Sequence, residues 1–227
     1  TCSRCDYTTY EEIVANGHDY TNKICVTCGE KQPPSYSWDI SANGDGSVMA
    51  YSYALTGGKY LIELVGSGNT KDYSSSPFYS LSSKIDDIVI GDGITSLGNS
   101  LFKNLNIHGG VYIPDSVSSI GTYTFSAFSG PKTISLPAGI TSIGNFAFYG
   151  SQNLIIILQG DKLPSSLGSI WDYNCGHYLN PQEVVTTEDA IYVIDRNGKA
   201  WLAKCYVNEP EFVAEKTVNG VPVTGIG

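Results

Sequence analysis

Apolar positions in the middle of this chain fall into columns when the sequence is cut every 23 residues. Ile88, Val111 and Ile134 form one column, and Ile90, Ile113 and Leu136 form a second two residues on. A step of two is the period of a strand with one buried face, so Val89, Tyr112 and Ser135 between them are expected to point outward. Two further apolar columns follow, Ile94/Val117/Ile140 and Leu97/Ile120/Ile143, then Gly98/Gly121/Gly144 and Phe102/Phe125/Phe148. Each coil thus supplies about five apolar side chains to a shared interior that no single coil could close. The expected fold is a β-rich repeat solenoid with a 23-residue period, its short strands stacked in parallel and joined by short helical turns ending at the Phe column. The glycine column would serve either a positive φ or close backbone packing.

Outside the regular coils the pattern changes. SVMAYSYALTGGKYLIELVG reads as a hairpin turning at Gly57-Gly58, and it is expected to cap the open end of the stack. Ile62 and Leu64 precede Ile88 and Ile90 by 26 residues, so the first repeat is three residues longer, with the excess expected in GSGNTKDYSSSPFY. After Gly150 the repeat decays. The Leu167-Gly168 pair lies one residue out of register, and Trp171 to Glu188 reads as irregular. AIYVIDRNGKAWLAKC then gives a second hairpin around Asn197-Gly198, and VNGVPVTGIG restarts the repeat, with Val223, Ile226 and Gly227 matching Ile140, Ile143 and Gly144.

Residues 1–34 are expected to form a small module closing at Gln32-Pro33-Pro34. The chain beyond, 35–227, is the solenoid. It divides into a cap with the first repeat (35–80), regular repeats (81–150), a degenerate repeat and loop (151–189), and a hairpin with the start of another repeat (190–227). Because the chain starts at Thr1 and stops in mid-repeat at Gly227, it reads as a piece of a longer polypeptide.

Composition narrows the function classes. The net charge is −9, from 13 basic and 22 acidic residues with no basic run, which removes the attraction that nucleic acids and anionic membranes require. The longest candidate apolar run, Leu154 to Leu158, is far too short to span a bilayer, so no membrane insertion is expected here. One Met, 16 Tyr and abundant Ser, Thr and Gly suit an exported β-rich protein.

YIPDSVSSIGTYTF and SLPAGITSIGNFAF resemble the BspA-like, bacterial-surface class of leucine-rich repeat, in which an apolar-x-apolar-Pro strand precedes a (Val/Ile)-Thr-Ser-Ile-Gly-x-x-Ala-Phe turn. WDISANGDGSVMAYSY and KDYSSSPFYSLSSKIDDIVIGDGITSLG are similar to the cap region of such proteins. The sequence departs from the pattern at Gly91, where the other copies have Pro114 and Pro137, and at Thr124, where Ala147 stands. The resemblance implies extracellular or cell-surface display by a bacterium and adhesion-type binding to a host or matrix protein or a glycan. It implies no enzyme and no fixed ligand residues. A structural spacer within a larger surface protein is the alternative function.

The cysteines carry the remaining chemistry. Cys2-x-x-Cys5 and Cys25-x-x-Cys28-Gly29 can place four thiolates around one tetrahedral ion, resembling a zinc ribbon. Structural zinc at Cys2, Cys5, Cys25 and Cys28 would let so apolar-poor a segment fold; disulfides are the other reading. Cys175 and Cys205 either pair, closing a loop, or remain buried thiols. His18, His108 and His177 have no nucleophile motif beside them, and Asp86-Asp87, adjacent on a strand, face opposite ways. No catalytic residue is assigned. The candidate ligand surface is the outward column Val89, Tyr112 and Ser135, since exposed Tyr gives large contact area at low entropic cost.

Overall fold

A computed structural model describes residues 20–21, 23–25, 31–205 and 214–226. The sequence columns become two parallel ladders running along one stack. The first begins with three antiparallel strands, Tyr36–Asp39, Val48–Ala54 and Tyr60–Gly66, then turns parallel through Ile85–Ile90 and Val111–Tyr112. Thr133–Leu136, Ile155–Leu158 and Gly176–Leu179 follow as a separate three-stranded parallel sheet, with no ladder pairing between Val111–Tyr112 and Thr133–Leu136. The second ladder is parallel throughout: Gly68–Asn69, Ile94–Leu97, Ser119–Ile120, Ser142–Ile143 and Ser166–Leu167. The register matches the columns: Ile62 faces Ile88, Leu64 faces Ile90, Ile120 faces Leu97 and Ile143.

The cap hairpin forms as expected, its two strands joined by the 3₁₀ turn Thr56–Gly58, with Gly57 at φ 72°. The extra residues of the first repeat lie between Asn69, which pairs with Ser96, and Phe78, which stacks on Phe102. That is the stretch the sequence singled out.

Inside the stack the aromatic column is longer than the sequence showed. Phe78, Phe102, Phe125, Phe148 and Trp171 follow one another with ring centroids 5.9, 5.2, 5.2 and 6.3 Å apart, and Trp38 meets Phe78 edge-on at 5.1 Å. The four Phe rings are fully buried, so tryptophans close the column at both ends.

Two expectations need correction. The turns leading to the Phe column are not helical; among the described residues the helices are 3₁₀, Thr56–Gly58 in the cap and Tyr79–Lys84 in the first repeat. The turn N–H groups point along the stack instead: Phe102 N donates to Thr124 O (2.9 Å), Phe125 N to Ala147 O (2.7 Å) and Phe148 N to Trp171 O (2.7 Å). A donor used between coils is lost to a helix. Trp171 to Glu188 is also not irregular, since it contains the strands Gly176–Leu179 and Glu183–Thr186.

The glycine column serves close approach. A Cβ on Gly121 would lie 2.7 Å from Asn99 N, one on Gly144 2.5 Å from Thr122 N, and one on Gly168 2.2 Å from Asn145 N. Thr124 departs from the repeat for a visible reason: it is fully buried, and its hydroxyl reaches Gly121 O (2.9 Å) and Gly98 O (3.0 Å).

The C-terminal strands form a second sheet. Glu183–Thr186, Ala190–Ile194 and Ala200–Cys205 pair antiparallel, and Val221–Ile226 lies parallel to Ala200–Cys205, with Ala200 facing Val223. That pairing sequence repeats the N-terminal cap. The sheet packs on the outward side of the ladder, where Ile191 joins Ile155 and Ile157 in one buried cluster. Lys132 Nζ donates to Thr187 O (2.9 Å) and Glu188 O (2.8 Å), and Lys204 Nζ to Gln152 O (2.9 Å), fastening the rim.

Candidate binding cleft

The outward column is the floor of a cleft of about 970 Å³. Alternation along each strand sends Ile88, Ile90, Ile134 and Leu136 inward and leaves Val89, Tyr112 and Ser135 on the other face. Val89 is half-buried, Ser135 is exposed, and Tyr112 is 59% exposed. All three line the cleft, together with Asp87, Asp115, Thr133, Gln159, Asn180 and Arg196. One coil further on, the same column is Ile157, and there the C-terminal sheet covers it. The cleft is therefore the uncovered length of the ladder face, ending at the Asp195–Lys199 hairpin tip.

That tip is closed by hydrogen bonds. Asp195 Oδ1 accepts from Asn197 N (2.8 Å) and Lys199 N (3.0 Å), and these backbone donors, Lys199 foremost, hold its carboxyl below the usual range. Arg196 beside it donates from Nε to Asn180 O (3.1 Å) and from Nη2 to Asn180 Oδ1 (2.5 Å). Asn180 Nδ2 in turn donates to Asp161 Oδ1. This chain fixes the amide and aims the guanidinium, while among the described residues no carboxylate pairs with Arg196 directly. At the other end Asp87 Oδ1 accepts from Gly110 N (2.7 Å). Asp87 is thus a positioned cleft group.

The remaining sequence candidates lie elsewhere. His108 Nε2 bonds Ser83 O (2.9 Å), and His177 Nδ1 bonds Asp172 Oδ2 (2.7 Å) beside the Trp171 ring; neither lines the cleft. Cys175 does not form a disulfide with Cys205. Its Sγ lies 3.2 Å from Phe148 O and 3.2 Å from Ser151 O, and burial pushes the thiol up to about 12. Cys2, Cys5, His18 and Cys28 lie outside the described residues, and for Cys25 only the backbone is described, in Ile24–Cys25, which pairs antiparallel with Tyr20–Thr21.

Sequence reading missed Gln159, Asn180 and Arg196 because they reach the cleft from the last coils and the C-terminal sheet. The polar tip of an Asn-Gly hairpin was a visible signal, but the face it meets is set by packing.

The model of the BspA type leucine rich repeat region matches residues 47–108 and 109–175, more than half of the chain. Among solved structures the chain is similar to a leucine-rich repeat protein from Eubacterium ventriosum, at 18% identity and TM-score 0.43. That match covers 72% of this chain and 50% of the other, so the chain spans about half of that relative's length. A leucine rich cell surface protein from Faecalibacterium prausnitzii matches at 15% identity and TM-score 0.28, covering 83% of this chain and 66% of the other. The pneumococcal vaccine antigen PcpA matches at 14% and 0.33, covering 65% and 52%. A comparison with curated proteins returned no significant match.

Proposed function

This chain belongs to the BspA-type leucine-rich repeat family, and on that premise we propose that it is a non-enzymatic binding module displayed on a bacterial surface. Its ligand is a host or matrix protein or a glycan, held in the cleft over Val89, Tyr112 and Ser135. One observation carries this reading: the cleft lies open on the ladder's outward face next to the part, at Ile155 and Ile157, that the C-terminal sheet covers. An exposed aromatic ring there is set among convergent polar groups, the composition of a recognition site. The zinc ion at Cys2, Cys5, Cys25 and Cys28 belongs to the same proposal, as a structural element of the front segment.

The test is surface plasmon resonance of the purified chain over a panel of matrix proteins and mucin-type glycans. Saturable binding that falls about tenfold or more in Ser135→Trp, which fills the cleft floor without touching the core, supports the reading. No binding to any member, or binding indifferent to Ser135→Trp, overturns it and favours a spacer.

A further inference from the structure

Resting on that reading, we infer that the cleft ligand is an acidic oligosaccharide, with a sugar ring on Tyr112 and a sugar carboxylate on Arg196. The floor is formed by the faces of two parallel sheets that meet between Val111–Tyr112 and Thr133–Leu136, each paired between coils within itself. An extended peptide gains its affinity by adding to a strand edge, whereas most of this cleft is lined by side chains standing on sheet faces. What it offers is side chains.

Those side chains suit a sugar. Tyr112, 59% exposed, presents a flat apolar ring. Along the cleft stand planar polar groups, Asp87, Asp115, Gln159, Asn180 and Arg196, able to hydrogen-bond sugar hydroxyls. Asp87 spends one oxygen on Gly110 N and keeps the other for a hydroxyl donor.

The acidic character comes from Arg196. Two contacts to Asn180 fix its position, and Asn180 is itself oriented by Asp161. The guanidinium is left with unused donors suited to a bidentate carboxylate. With a net charge of −9 the chain does not draw anions by its overall field, so recognition is local to this one fork. Length agrees as well: from Tyr112 to the coil of Asn180 is three ladder steps, about 14 Å at the usual strand spacing, the reach of a short oligosaccharide.

The experiment is calorimetric titration of the whole chain with a galacturonic acid trimer, its methyl ester, sialyllactose, and an acidic hexapeptide of alternating Ala and Glu. The expected result is binding of the trimer or sialyllactose, about ten- to a hundredfold weaker in Arg196→Gln and also weakened in Tyr112→Ala. Which of the two acids binds distinguishes a uronic from a sialic source. The methyl ester should lose as much as Arg196→Gln does. Equal affinity for trimer and ester, or no binding of either acid, overturns the inference. Binding of the peptide alone overturns it too, while leaving a cleft that binds protein. Asp161→Asn should weaken acid binding modestly and leave the thermal midpoint unchanged, which separates positioning of Arg196 from a folding defect.

Discussion

Ile191 of the C-terminal sheet is buried against Ile157 of the repeat ladder, and with Ile155 the three form one cluster. The pairing explains why Ile155–Leu158 is apolar at every position and buried at every position: a parallel strand covered on both faces loses its alternation. Ile191→Ala should destabilise by about 2–4 kcal/mol in urea denaturation. Limited proteolysis should then cut the 183–205 region before the coils. Cleavage that begins in the coils would mean that the sheet does not depend on this contact.

The aromatic column makes a second prediction. Phe125 touches Phe102 and Phe148 at 5.2 Å each and Phe128 at 5.4 Å, so Phe125→Ala should cost about 3–5 kcal/mol. Phe102→Ala combined with it should cost less than the two single changes added, because they share one contact. Strict additivity in a double-mutant cycle would show that the rings pack independently.

How far the sequence carried this structure depends on what each element packs against. Where a coil meets only its neighbours, as at Ile88, Ile90 and Leu97, period and residue type agree and the columns are readable. Only three coils of the aromatic column are readable in sequence, because Phe78 is separated from Phe102 by 24 residues rather than 23 and because Trp171, which keeps the 23-residue step from Phe148, is a change of residue type. The triple isoleucine was visible only as an apolar run, since its outer cover arrives from Ile191, far along the chain. The cleft floor was legible from alternation alone. Its Arg196 wall was not, because the position of a hairpin tip follows from tertiary packing.

Each coil also carries two residues of left-handed backbone: Ser100 and Asn104, Tyr123 and Ala127, Phe146 and Gly150, Ile170 and Asn174. Asn and Gly adopt this conformation at little cost, whereas Ala does not. Ala127 has φ 48° and its counterpart Gly150 φ 76°, with open space around the latter. Ala127→Gly should therefore raise stability by about 1 kcal/mol, and Gly150→Ala lower it by about as much. Gly121→Ala is different in kind. Its Cβ would strike backbone atoms of Asn99 and Gly98 at 2.7 and 2.8 Å, and it should cost about 2 kcal/mol or more. Denaturation midpoints of the three variants check the ordering.

Metal analysis addresses the front segment. If Cys2, Cys5, Cys25 and Cys28 hold a structural ion, protein purified without chelator should contain one zinc per chain, and a strong chelator should release it with loss of order in residues 1–34 alone. Cys25→Ser should abolish zinc retention while leaving the thermal transition of the coils in place. Zinc-free protein with no titratable thiols among those four would identify disulfides instead.

Cys175 supplies a pH dependence with a definite sign. Its thiol does between coils what the Ser151 hydroxyl does one coil earlier: Ser151 Oγ donates to Phe125 O (2.7 Å), and Cys175 Sγ faces Phe148 O. Burial, with the nearby Asp172 charge adding to it, raises the thiol to about 12, above the ordinary cysteine value near 8.5. The folded chain therefore holds this proton more tightly than the unfolded chain does. The resulting stability is fully present below about pH 8.5 and declines as pH climbs from there toward 12. Cys175→Ser keeps a donor for Phe148 O and should flatten that alkaline decline at little cost near neutrality, whereas Cys175→Ala, which leaves Phe148 O its bond from Ser151 N (3.2 Å), should cost about 1 kcal/mol near neutrality, a deficit that shrinks as pH rises. Thermal midpoints of the three proteins from pH 7 to 10.5 decide it: parallel curves for the native protein and Cys175→Ser would assign the alkaline loss to other groups.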